Sequence, residues 1–456
     1  MKIINDFKNK KVLVLGLAMS GYSASKLLLK LGAEVIVNDF QDLTHDKQAI
    51  ELSSLGVEIV SGGHPLSLLD DSVDYIIKNP GIPYTNPLIK KAQDKAIPIL
   101  TEIELAYLIN ESSIIAITGT NGKTTTTKMV EAVLKHNREK GQVYASGNIG
   151  VPASTTAQKV TSEDDTVMEV SSFQLMGIQS FKPSIAVITN IYSAHLDYHK
   201  TRKEYVLAKL AITKNHTESD YLVYNADQSE LTELVLNESR AQLIPFSRKK
   251  KLFKGVWIEN QNILFNSEII MNVQDIILPG KHNLENILAA IAVAKIKGVT
   301  NETIQFVFKQ FKGVPHRMQY VDEINTRLFY NDSKATNTLA TIHALDGFDK
   351  PVILIAGGMD RGDSYEELIP ALRNHVKALI TFGETAEKIA VIGKEVNLPK
   401  IKQLTTVSES VQQAYKWSEE EDVILLSPAS ASWDQYKTFE ERGEDFIKAV
   451  SELKSE

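Results

Sequence analysis

The sequence predicts the α/β class, with mainly parallel sheets covered by helices and more than one domain. Two observations carry this. Short apolar, β-branched runs alternate with longer stretches of helical periodicity, at Val12–Leu15, Val35–Val37, Ile114–Ile117, Ile185–Ile188, Val352–Ile355 and Val423–Leu426. Strands that read as unbroken apolar runs are those buried on both faces, as in parallel sheets. The chain also has 456 residues, whereas a single domain usually holds roughly 100 to 200. A Pro-containing stretch around Pro98 and the turn Gly313-Val314-Pro315 read as junctions. They divide the chain into 1–101, 102–313 and 314–456.

Composition narrows the chemistry. Hydrophobic residues make up 43% and charged residues 23%, enough apolar surface for several cores. Fifty Lys and Arg against 57 Asp and Glu give a net charge of -7, which offers no general attraction to nucleic acid or anionic membrane. A phosphate site must therefore be local. The absence of cysteine excludes disulfides, thiolate metal sites and cysteine nucleophiles. No apolar segment long enough for a secretory core or a membrane span is present, so a cytoplasmic protein is expected. The run Arg248–Lys251 reads as a solvated loop.

In the first segment, Gly16-Leu-Ala-Met-Ser-Gly21 follows a strand and opens a helix, and Asp39 ends the next strand. This is a dinucleotide-type turn with Ala18 in place of its middle glycine, and a glycine turn with a solvated Asp39 fits the same residues. The second segment opens on the strand Ile114–Thr118, the loop Gly119-Thr120-Asn121-Gly122-Lys123-Thr124-Thr125, and a helix with Met129, Val130, Val133 and Leu134 on one face. Glycines let backbone amides converge on phosphate oxygens, Lys123 supplies a charge for the terminal phosphates, and the Thr124 hydroxyl can reach Mg²⁺. The loop is a variant of the P-loop, because the usual first glycine falls on Ile117. ATP is the ligand this chemistry calls for.

Thr118-Gly-Thr-Asn-Gly-Lys-Thr124 resembles the ATP loop shared by the Mur ligases and the folylpolyglutamate synthetases. Gly147-Asn-Ile-Gly-Val-Pro152, Glu169-Val-Ser-Ser-Phe-Gln-Leu175, Asn190-Ile-Tyr-Ser-Ala-His-Leu-Asp197, Leu278–Asn286 and His316-Arg317 are similar to Mur ligase signatures, in the expected order. Asn331-Asp-Ser-Lys-Ala-Thr-Asn337 and Leu426–Gly443 resemble the members of that family that add D-glutamate. The resemblance covers essentially the whole chain. It implies a Rossmann-like N-terminal domain, a central P-loop NTPase-like domain and a C-terminal Rossmann-like domain. It also implies a ligase of peptidoglycan precursor synthesis whose substrates are ATP, UDP-N-acetylmuramoyl-L-alanine and D-glutamate, acting through an acyl phosphate.

Residue roles follow from the resemblance. Met19 and Ser20 would face the diphosphate, Asp39 the uridine, and Asn79-Pro-Gly81 would close that site. Asn148 would orient the muramoyl and acyl portion. Two Mg²⁺ ions are implied, with Thr124, Glu169, His195 and Lys209 as ligands, Lys209 being carbamylated in the family. Asn283 and Asn286 would meet adenine, although two asparagines at a helix start are also good capping residues. Arg317 would reach the ATP phosphates and Asp332 the ribose. Lys123, Asn148, His195, Lys209 and Lys334 would act in the chemistry, with Lys334 stabilising the charge that develops. Thr336, Arg361, Ser432 and Phe439 are the D-glutamate candidates; Arg361 stands where some relatives carry lysine. A monomer is expected, with a hinge near residue 313. The rival readings are a folylpolyglutamate synthetase-like ligase, an NAD oxidoreductase built on Gly16–Gly21, and a nucleotide-gated binding protein.

Overall fold

A computed structural model describes residues 1–192, 196–278, 280–348 and 350–454. His195, expected as a metal ligand, lies outside the described residues. Three sheets form, from 20 strands among the described residues. The first contains β1 (Lys11–Leu15), β2 (Glu34–Asp39), β3 (Glu58–Ser61), β4 (Tyr75–Lys78) and β5 (Ile99–Leu100), in the order β3-β2-β1-β4-β5, all parallel. The alternation along β1 explains its apolar run. Val12 and Val14 enter one core, while Leu13 and Leu15 enter another on the opposite face. A strand covered on both faces has no polar side to display.

The second sheet holds β6 (Ser113–Thr118), β7 (Val143–Gly147), β8 (Asp165–Glu169), β9 (Ile185–Ile188), β10 (Tyr221–Asn225), β11 (Gln242–Ser247), β12 (Val256–Glu259), β13 (Asn262–Phe265) and β14 (Glu268–Asn272). Its order is β14-β13-β12-β11-β10-β9-β6-β8-β7. The parallel part was expected, but β12, β13 and β14 form an antiparallel meander. Residues Arg248–Lys251, expected as a solvated loop, are only partly so: the Arg248 side chain is drawn 3.4 Å from Glu285. The first two sheets share one core through the helix Glu102–Ile109, whose Leu105, Ala106 and Ile109 are fully buried. They form one compact unit, Met1–Val273 with Glu285–Val307.

The other unit comprises Gln274–Leu284 and Phe308–Glu456. Its sheet contains β15 (Gln319–Ile324), β16 (Arg327–Asn331), β17 (Val352–Gly357), β18 (Val376–Phe382), β19 (Ile401–Gln403) and β20 (Val423–Leu426), in the order β15-β16-β20-β17-β18-β19. Only the β15–β16 pair is antiparallel. Val352, Leu354 and Ala356 pack on one face of β17, with Ile353 and Ile355 on the other.

Candidate functional site

The expected ligand loops at Gly16, Asn79, Gly119, Asn148 and Gly357 each leave the carboxyl end of a parallel strand, where open α/β sheets bind ligands. The loop after β6 is built for close approach. Gly119 has φ +152° and Gly122 φ +80°, and a Cβ on them would lie 1.9 Å from the Thr189 hydroxyl oxygen and 2.2 Å from Oδ1 of Asn286. No other residue fits there. The segment leaving the carboxyl end of β9 braces the loop: Asn190 accepts from the Asn121 amide at 2.9 Å through Oδ1, and its carbonyl accepts from the Thr120 amide at 2.9 Å. Thr120 Oγ1 is 2.9 Å from the Tyr205 hydroxyl. Gly122 precedes the helix Lys123–Lys135 with no side chain capping it, so the first helical amides keep their dipole end for an anion. Thr124 and Thr125 lie on that first turn, and Met129, Val130, Val133 and Leu134 are buried as expected.

Two lysines meet at this loop. Lys123 Nζ folds back to donate to the carbonyls of Gly119 and Thr120, both at 2.8 Å. Lys209, on the helix Arg202–Leu210, is buried and donates to the same Gly119 carbonyl at 2.7 Å. Burial, and then the neighbouring Lys123 charge, hold the Lys209 amine well below the usual lysine range, against the opposing pull of Glu169. Glu169 ends β8 and pairs in register with Ile117 of β6, which sets its carboxylate beside the phosphate loop. Asn148 donates from its side chain to Glu169 Oε1 at 2.9 Å, and its own amide donates to the Glu169 carbonyl. Among the described residues Glu169 Oε2, which is buried, has no hydrogen-bond partner.

An unpartnered buried carboxylate oxygen is costly unless something occupies it, and a cation suits it. Among the described residues no group of three or more His, Asp or Glu side chains converges on one point. A sparse set of protein oxygens fits Mg²⁺, which binds through one or two carboxylates and completes its shell with phosphate and water.

At the first sheet, Asp39 Oδ2 accepts from the Leu17 amide at 2.8 Å, which pins the turn that begins the helix Ala18–Lys30. Asn79 donates to Ser20 Oγ at 3.2 Å and accepts from the Gly81 amide at 3.0 Å. Ser20 and Gly81 are thereby joined through one side chain, and Met19 lies exposed beside them. Asn283 and Asn286 are both buried on the helix Lys281–Ile296, and the Asn286 amide packs on the phosphate loop at Gly122.

In the C-terminal unit, Asp332 follows β16 and is buried, accepting from the Met318 amide at 3.1 Å and from Ser427 Oγ at 3.0 Å. Burial pushes its carboxyl up to about 7, with these bonds and Arg317 opposing. Lys334 lies 5.3 Å from the ring centre of Phe439, and Ser432 is buried in the loop after β20. Arg361 lies over Trp433 at 4.6 Å. Thr336 follows Lys334 closely and donates its amide to that residue's carbonyl.

Arg442 is the organiser that sequence reasoning missed. It is fully buried and donates to the carbonyls of Ser333, Gly357, Ser430 and Ala431 and to Ser333 Oγ, at 2.9 to 3.3 Å. Burial lowers its guanidinium to about 10. An arginine within a charged helical run reads as solvated, so nothing local marks it. Tyr205, one turn before Lys209, escapes in the same way.

Family models match three stretches: "Mur ligase MurD-like, N-terminal domain" at residues 10–101, "Mur ligase middle domain" at 117–294 and "Mur ligase, glutamate ligase domain" at 316–430. The chain is 53% identical to a UDP-N-acetylmuramoylalanine–D-glutamate ligase of Listeria innocua, over 99% of each chain. It is 54% identical to the enzyme of that name from Enterococcus hirae, over 99% of this chain and 98% of the relative. Among solved structures, MurF ligase from Thermotoga maritima in complex with ADP has a TM-score of 0.56 at 17% identity, covering 99% of this chain and 98% of that one. The UDP-N-acetylmuramate-alanine ligase MurC of the same organism has a TM-score of 0.55 at 19% identity, covering 97% and 99%. Those likenesses show the three-domain α/β fold, and the sequence relatives place the chain: it belongs to the Mur ligase family, in the group of the D-glutamate ligases.

Proposed function

We propose that this chain is an ATP-dependent amide ligase that joins D-glutamate to UDP-N-acetylmuramoyl-L-alanine in peptidoglycan precursor synthesis. The observation that carries the chemistry is Glu169. Its buried, unpartnered oxygen stands in register beside a loop that accepts only glycine at two positions and opens a helix. Mg²⁺ held there would neutralise the charge that builds when a nucleotide phosphate approaches a carboxylate. Asn148 fixes the rotamer of Glu169, while Lys123 stands ready to turn from the loop carbonyls to the terminal phosphates. Only a neutral amine adds CO₂, and burial favours that form of Lys209, which supports its carbamylation and its service as a metal ligand with His195.

Ser20, Asp39, Met19 and Gly81 form the UDP-substrate site on this reading, and Asn283 and Asn286 the adenine site. Arg317 and Asp332 serve the nucleotide, Lys334 the developing charge, and Thr336, Arg361, Ser432 and Phe439 the D-glutamate. The domain limits 1–101, 102–313 and 314–456, a monomeric state and a cytoplasmic location belong to the same proposal. Among the described residues no helix is long and apolar enough to cross a membrane. The identity of the relatives over their full length disfavours a folate ligase. The test is phosphate release with UDP-N-acetylmuramoyl-L-alanine and a panel of D- and L-amino acids. Release with D-glutamate alone is expected; release only with L-glutamate and a folate overturns the proposal.

A further inference from the structure

Lys78 has no role in the reading above, yet it is among the largest fully buried side chains of the protein. It ends β4, one residue before the turn that carries Asn79 and Gly81. No carboxylate among the described residues pairs with it. Its Nζ instead faces three backbone carbonyls of that turn, Ile82 at 2.7 Å, Asn79 at 3.0 Å and Pro80 at 3.3 Å. An ammonium has three N–H donors, and here each has a carbonyl. The Tyr198 hydroxyl completes the cage, 3.2 Å from Nζ, 3.1 Å from the Pro80 carbonyl and 2.9 Å from that of Ile82. The ring of Tyr84 covers the amine at 4.9 Å, and its hydroxyl donates to the Met176 carbonyl at 3.1 Å.

Stability does not explain this choice. Burial without an anionic partner disfavours the charged amine and lowers it to about 7, whereas a methionine would fill similar space without desolvating a charge. What the amine adds is shape. It draws three carbonyls inward, and the turn then presents Asn79 to Ser20, with the Gly81 amide held on Asn79 Oδ1. It also fastens the turn to Tyr198, three residues beyond His195 in the chain.

We propose that Lys78 is a positioning residue for the UDP-substrate site: with Tyr198 it latches the Asn79–Ile82 turn in the form that binds the sugar nucleotide. This rests on the proposed function, so wild-type ligation of UDP-N-acetylmuramoyl-L-alanine is measured first, and its failure would count against that function and not against the latch. The full-length Lys78→Met, Tyr198→Phe and double variants are then compared in KM for each substrate and in thermal midpoint. Lys78→Met is expected to raise KM for the UDP substrate at least tenfold, leaving KM for ATP and D-glutamate within twofold. Tyr198→Phe should raise the same constant about threefold, and the double variant should be no worse than Lys78→Met, because both substitutions open one latch. If Lys78→Met does not fold, Tyr198→Phe alone decides. A KM for the UDP substrate within twofold of wild type in the folded variants, or an equal rise for all three substrates, overturns the proposal.

Discussion

Asp332→Asn separates what the buried carboxyl does for stability from the nucleotide contact proposed for it. In the wild type the folded carboxyl sits near 7, against an ordinary value of 3.8. The folded chain therefore holds a proton that the unfolded chain has released between these values, and stability falls as pH rises through that window. Below it the group contributes nothing, and above it the full penalty stands, about 4 kcal/mol. From about pH 5.5 to about pH 8.5 the same relation makes the wild type lose about 2 kcal/mol. Asparagine is always neutral and keeps the geometry. Its Oδ1 accepts from the Met318 amide, and Ser427 can turn its proton toward Thr341, 3.0 Å away, and accept from the new NH₂. The variant should thus be the more stable protein at the higher pH, with the gap shrinking by about 2 kcal/mol at the lower, although its KM for ATP should rise. Hydrogen exchange of the β16 and β20 amides at both pH values measures this within the C-terminal unit. A gap independent of pH, or a variant less stable at about pH 8.5, would refute the assignment of a raised carboxyl.

Three further outcomes are expected. Lys209→Ala should lose activity and recover part of it with formate or acetate, because a short carboxylate can replace a carbamate at a metal; rescue by alkylamines and not by carboxylates would make Lys209 an ordinary ammonium. Gly122→Ala should cost at least about 1–2 kcal/mol from the left-handed backbone alone. Because its Cβ would meet Asn286 Oδ1 at 2.2 Å, it should also raise KM for ATP, and nucleotide titration with an unchanged KM would contradict the loop geometry. Arg442→Met should remove a donor from four carbonyls, of which that of Ala431 keeps the Met359 amide, and cost roughly 3 kcal/mol or more in urea denaturation. KM for D-glutamate should rise in any folded fraction, and an unaltered urea midpoint would show that the carbonyls find other donors.

The fold class was legible because the strands that matter are buried on both faces. The runs at Ile185–Ile188 and Val423–Leu426 coincide with β9 and β20. The meander β12–β14 was not, since Val256–Glu259 and Glu268–Asn272 set half-buried or exposed polar residues among the apolar ones and carry no long run. At the site, the phosphate loop was legible because glycine, lysine and threonine at that fixed spacing supply a cradle, a charge and a hydroxyl together, whereas a plain turn needs only the glycines. Glu169 and Lys209 were legible only by resemblance. No local pattern says that the Glu169 carboxylate ends beside Ile117, or that Lys209 reaches the Gly119 carbonyl across 90 residues of chain. Lys78 and Arg442 were not legible at all, because most of their partners are backbone atoms, which every sequence supplies equally.

Those two residues have something in common. Each is a buried basic side chain directed at main-chain carbonyls: Lys78 at Asn79, Pro80 and Ile82, and Arg442 at Ser333, Gly357, Ser430 and Ala431. In each, burial lowers the pKa. The backbone itself supplies a reason. A turn that aims its amides outward at an anion must aim carbonyls inward, away from water, and buried carbonyls require donors. A neutral donor satisfies one or two of them, whereas an ammonium or guanidinium satisfies three or more from a single side chain. The cost is desolvation of a charge, and what is obtained is a loop whose shape is set before any phosphate or carboxylate arrives. Preorganisation of that kind acts on binding and on the charge developed in reaction, whatever it adds to global stability. A survey of thermal midpoints alone would therefore rank Lys78 as expendable and Arg442 as merely structural, and a survey of KM would correct both.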